Sequence, residues 1–145
     1  MARLWSSGAE LNTITAGVEI TTTTNTPTIV TTPVRSGTYA YRATAFTTLT
    51  QKGFQYQFAS AAGNGPYFFR IYFRAAAFPL LEDRIIALND TANFTTPNLV
   101  YLTVDSSGTL KLYDEDGQIT GTSTLSVDTW YRIAIQFDGT PADGS

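Results

Sequence analysis

Apolar and polar positions alternate along much of this chain with a period of two, and no segment carries the three-to-four-residue repeat of an amphipathic helix. Phe54, Tyr56 and Phe58 alternate with Gln55 and Gln57, the pattern of a strand with one face buried. The most aromatic segment runs from Tyr67 to Arg74. It sets Phe69, Ile71 and Phe73 on one side and Arg70, Tyr72 and Arg74 on the other. Thr129 to Asp138 repeats the arrangement, with Tyr131, Ile133, Ile135 and Phe137 opposed to Trp130, Arg132, Ala134 and Gln136. Asp83 to Asn89 is nearly continuous in apolar residues and reads as a strand buried on both faces. Leu99 to Asp105 and Thr109 to Asp114 flank Ser106-Ser107-Gly108, a hairpin by spacing and turn chemistry.

Gly, Pro and Asn clusters punctuate these segments, as at Ser36-Gly37, Gly63-Asn64-Gly65-Pro66 and Asp116-Gly117. The segment 21–32 is rich in threonine, whose branched side chain favours extended backbone, and Pro27 and Pro33 keep it from forming a long central strand. Its plain reading is an exposed strand and turn. Roughly eight or nine short strands at this spacing predict an all-β sandwich or barrel. The inter-sheet core is then expected from Phe54, Tyr56, Phe58, Phe69, Ile71, Phe73, Val100, Leu102, Leu110, Leu112, Ile133, Ile135 and Phe137.

Composition narrows the function. At 145 residues the chain has the length of one domain, and only 14% of its residues are charged. A net charge of −3 speaks against nucleic acid, which needs a basic surface to displace counterions from phosphate. No apolar run is long enough to span a membrane. The sequence holds no histidine and no cysteine. It therefore lacks the usual general base near neutral pH, the Ser-His-Asp triad, thiol chemistry and disulfides. The first residues, Met-Ala-Arg-Leu-Trp-Ser-Ser-Gly, have no apolar core and do not read as a Sec signal peptide.

Three segments stand out: Ser36-Gly37-Thr38-Tyr39-Ala40-Tyr41-Arg42; Tyr67-Phe68-Phe69-Arg70-Ile71-Tyr72-Phe73-Arg74; and Gly108 to Asp114 followed by Leu125 and Thr129-Trp130-Tyr131-Arg132-Ile133. Together they resemble the concanavalin A-like jelly roll, and within it the laminin-G-like group. The resemblance implies a two-sheet antiparallel jelly-roll sandwich forming a single domain over residues 1–145. In this group a further hairpin follows the Trp-Tyr-Arg-Ile strand. The chain is therefore expected to continue beyond Ser145, with an oligomer that closes its own sheet edge as the alternative. The opening, Met1 to Leu11, is similar to that of small laminin-G-like proteins from phage and metagenomic sequences. That likeness implies a virion or cell-surface component such as a capsid decoration or tail protein, with other virion proteins or further copies of itself as partners.

Two constellations are candidate sites. The first is the polar face of Arg70, Tyr72, Arg74, Trp130, Arg132 and Gln136, which would line one sheet surface if the two aromatic strands are neighbours. Tyr, Trp and Arg suit a protein interface. Aromatic rings and guanidinium groups equally suit a glycan, the ligand expected if the chain is a carbohydrate-binding module of a larger bacterial surface protein. On the plain reading the arginine stems simply cover the sheet. The second is the acidic turn Asp114-Glu115-Asp116, a candidate calcium site because laminin-G-like domains often carry one calcium on a rim and calcium takes oxygen ligands. Its plain reading is a solvated hairpin tip, and no other cofactor is expected. Jelly-roll glucanases place acids as Glu-x-Asp-x-x-Glu on one strand face. The four glutamates, Glu10, Glu19, Glu82 and Glu115, do not have that spacing, so no catalytic residue and no enzymatic activity are expected.

Overall fold

The computed structural model describes residues 9–10, 12, 22–24, 27–43, 53–55, 66–88, 100–114, 116–119, 121 and 123–137. Among them there is no helix, and all strand pairs are antiparallel. The strands are β1 (Thr22–Thr24), β2 (Thr28–Val30), β3 (Ala40–Arg42), β4 (Gly53–Gln55), β5 (Tyr67–Phe73), β6 (Asp83–Leu88), β7 (Val100–Val104), β8 (Leu110–Asp114), β9 (Gly117–Ile119) and β10 (Tyr131–Phe137). The chain divides into two compact units, residues 1–60 and 61–145.

In the first unit the threonine-rich segment supplies two short strands. Thr22–Thr24 pairs with Gly53–Gln55, and Thr28–Val30 pairs with Ala40–Arg42. Pro27 precedes the second of these and Pro33 follows it, so neither proline interrupts a ladder. Ala9 is buried, and the Glu10 carboxylate accepts a hydrogen bond from the Thr38 amide at 3.1 Å. Gly37 has a φ of +75°, a region that glycine occupies without strain.

In the second unit β5 and β10 form one sheet, and β6-β7-β8-β9 form another in that order. Register follows the hydrophobic alternation: Ile133 lies opposite Ile71 and Ile135 opposite Phe69. On the second sheet Val100, Leu102 and Val104 share a buried side of β7. Phe69 and Ile135 line a narrow apolar cleft with Ile86, Leu88 and Val100. Its volume of about 10 Å³ leaves room for at most one water. The architecture is all-β and consistent with a sandwich, and the expected core residues Phe69, Ile71, Phe73, Val100, Leu102, Leu110, Leu112, Ile133 and Ile135 are all buried or half-buried. Tyr56 and Phe58 of the expected core lie outside the described residues, as do the side chains of Phe54 and Phe137.

Two hairpins on the second sheet follow from turn chemistry. Between β7 and β8 the Asp105 carboxylate accepts from the Ser107 amide at 2.9 Å and the Thr109 amide at 3.0 Å, while Gly108 takes a φ of +83°. Between β8 and β9, Asp114 pairs with Gly117 across a two-residue turn. Beside the first hairpin, Leu125 is buried and its amide donates to the Gly108 carbonyl at 2.8 Å.

One expectation is overturned. The segment 83–89 does not bury both faces, because Arg84 and Ala87 are exposed. A bulge between Arg84 and Ile86 resets the register, so adjacent isoleucines no longer imply two buried faces. The short strand β9, all of it exposed, has no hydrophobic alternation by which the sequence would have announced it.

Candidate functional site

β5 and β10 carry the candidate face. Their register places Tyr72 opposite Arg132, Arg70 opposite Ala134 and Phe68 opposite Gln136, and all six residues are exposed. The condition for the predicted polar face, neighbouring aromatic strands, is therefore met. Arg70, Tyr72, Arg132 and Gln136 share it. Arg74 lies beyond the end of β5 and turns to Asp128, with a nitrogen–oxygen separation of 2.6 Å. Trp130 precedes β10 and is half-buried.

The sequence reading missed Phe68, which is 56% exposed and forms part of the same surface as Tyr72, 43% exposed. Its signal was the period of two itself, which aligns residue 68 with 70 and 72. Phe68, Arg70, Ala134 and Gln136 border a shallow groove of about 340 Å³. Arg70 and Arg132 make no ion pair among the described residues. The face thus combines large aromatic surface with cationic groups, and among the described residues it has no acidic member.

The candidate calcium turn is partly visible. Asp114 Oδ1 accepts from the amides of Asp116 at 3.0 Å and Gly117 at 3.1 Å, the capping role of an aspartate in a tight turn. Glu115 lies outside the described residues. Among the described residues no three acidic side chains converge as a metal site would require.

A second polar cluster, not anticipated from the sequence, occupies the outer face of β6–β9. Glu82, just before β6, receives hydrogen bonds from Thr103 Oγ1, Lys111 Nζ and Tyr113 Oη, each at 2.7 Å. Beside it, Tyr101 and Tyr113 stack across β7 and β8 with ring centroids 4.7 Å apart and planes 4° from parallel. Arg84 covers Tyr101 at 4.6 Å from the ring centroid. These contacts join residues up to 31 positions apart, and only knowledge of the strand order would have assembled them.

Hydrogen bonding sets the charge of this cluster. Partial burial pushes the Glu82 carboxyl upward, but the hydrogen bonds from Lys111, Thr103 and Tyr113 outweigh it and hold the group below its ordinary value of 4.5. A general acid for glycoside cleavage needs the opposite shift. The hydrogen bond to Glu82 holds the Lys111 ammonium above its ordinary 10.5. For Glu82 the stabilisation is present above pH 4.5 and is lost as pH falls through the lowered folded value. For Lys111 it is present below pH 10.5 and is lost as pH rises through the raised value. Glu82→Gln should therefore be less stable than wild type at neutral pH, by under about 1 kcal/mol because the pair is partly solvent-screened. Urea midpoints followed from about pH 6 to pH 3 should show the two proteins converging. A gap that widens in acid would contradict the assignment.

No known family model, curated protein or solved structure matches this chain.

Proposed function

We propose that this protein is a non-catalytic jelly-roll module, a structural or adhesive component of a virion surface such as a capsid decoration or tail protein. In this reading it attaches to its neighbours through the outer face of β5 and β10. The observation that carries the proposal is the exposed aromatic and arginine face, with Phe68 at 56% and Tyr72 at 43% exposure beside Arg70 and Arg132. These are the residue types that dominate protein contacts, and burying an aromatic ring removes ~150–250 Å² from water. The absence of histidine and cysteine from the sequence supports a role without catalysis, as does a Glu82 carboxylate already saturated by three donors.

The alternative, a glycan-binding module of a larger bacterial surface protein, draws on the same groove, whose ~340 Å³ volume lies within the ~300–1,000 Å³ of small-ligand sites. Antibodies raised against the protein and applied to purified particles separate the two readings. Particle labelling that disappears in Arg70→Glu/Arg132→Glu protein is the expected result. Unlabelled particles, together with glycan-array binding lost in Tyr72→Ala, would favour the alternative. Turnover of β-glucan by the purified chain would overturn both.

A further inference from the structure

The loop between β5 and β6 ends in Leu80 and Leu81, which are 82% and 72% exposed. Two adjacent leucines this open are not the scattered apolar residues of an ordinary surface. Nor is the loop loosely held. On one side Phe78 packs where a side chain on Gly108 would sit, within 2.6 Å of that position. On the other, Glu82 is fixed by Thr103, Lys111 and Tyr113 at 2.7 Å each. The leucines are therefore presented on a short segment clamped at both ends, which reduces the ordering cost of inserting them elsewhere.

We propose that Leu80 and Leu81 of one molecule occupy the β5–β10 groove of a second copy of this chain. The proposal rests on the reading above that this face is a contact surface, and it names the occupant. Chemistry matches on both counts. The tip is apolar and is followed by the acidic Glu82 and Asp83. Lys111 answers Glu82, while Asp83 makes no ion pair among the described residues. The groove offers Phe68, together with Arg70 and the neighbouring Arg132, which likewise make no ion pair among the described residues, and none of its described residues is acidic. The loop departs from the Phe73 end of β5, whereas the groove lies around Phe68 to Arg70. Tip and groove are thus different surfaces of one molecule. Their contact is heterologous, with each copy donating a tip and receiving one, and such contacts build rings or open chains.

Sedimentation velocity of the full chain tests this. Wild type should associate increasingly across the micromolar range. Leu80→Ser/Leu81→Ser and Arg70→Glu/Arg132→Glu should each remain monomeric; removal of the two leucines should weaken association at least ~100-fold. All four positions are exposed, so unfolding midpoints should match wild type. Should a serine variant fail to fold, Leu80→Gln/Leu81→Gln replaces it. A mixture of the tip variant and the groove variant should form pairs and nothing larger, because only one intact tip and one intact groove can meet. Wild type that stays monomeric to millimolar concentration, a tip variant that associates like wild type, or a mixture that fails to pair would each overturn the proposal. If the tip variant associates like wild type in sedimentation while the groove variant still abolishes particle labelling, self-pairing is refuted and the contact face stands. If neither variant alters labelling, the contact face falls as well.

Discussion

Leu102→Ala should lower the stability of the second unit by about 2–5 kcal/mol, the range for removing a buried leucine side chain from a packed interior. Leu102 is 7% exposed and sits mid-strand in β7, paired with Ile86 on one side and Leu112 on the other. Val100 and Val104 flank it on the same buried side of the strand. These neighbours all belong to hydrogen-bonded strands, which cannot collapse into the void without breaking their ladders. The cavity term should therefore persist. Leu102→Met, which keeps most of the volume, should cost under ~1.5 kcal/mol. Phe73→Ala and Ile133→Ala should fall toward the lower end of the same range, because both residues are half-buried. Denaturant titration monitored by tryptophan fluorescence measures all four. A loss under ~0.5 kcal/mol for Leu102→Ala would mean that the inner and outer faces of this sheet are reversed.

Gly108→Ala is the second large effect, expected at about 2–4 kcal/mol from backbone strain and steric overlap together. The residue has a φ of +83°, unfavourable for alanine. An added methyl group would lie 2.6 Å from the Phe78 ring and 2.8 Å from the Leu125 carbonyl oxygen. The backbone oxygen has little freedom, since the Leu125 amide is itself bound to the Gly108 carbonyl at 2.8 Å. The ring is the part that can be changed. Gly108→Ala in a Phe78→Leu background should cost less than the sum of the single substitutions, the signature of two groups competing for one space. Strict additivity in thermal or chemical unfolding would show that strain alone is responsible.

Period-two alternation made β5 and β10 legible in the sequence, because each buries one face and leaves the other in water, whereas β7 and β8, covered on both sides, were legible from the turn that joins them. Turn chemistry located the Asp105–Gly108 and Asp114–Gly117 reversals for the same local reason. The outer face of β5 and β10 could be anticipated only conditionally. Alternation says which residues share a side of each strand, while strand partnership depends on connections that no local pattern encodes. Glu82 illustrates the limit. Nothing around it in sequence marks it, and its three donors come from β7 and β8. The misreading of segment 83–89 has a different origin. Ile85 and Ile86 looked like residues of a doubly covered strand, when one of them is the extra residue of a bulge. Phe68 belongs to neither the expected core nor the expected polar face, although the period of two sets it beside Arg70 and Tyr72.

That bulge has a consequence for how copies of this protein meet. β6 borders its sheet among the described residues, so its outer backbone groups would otherwise offer a template for lateral zippering. The irregularity between Arg84 and Ile86 bends this border and breaks the even spacing of its amides and carbonyls. Fibre-like growth by main-chain pairing is thereby obstructed along that margin, and side-chain recognition is left to govern any orderly assembly there.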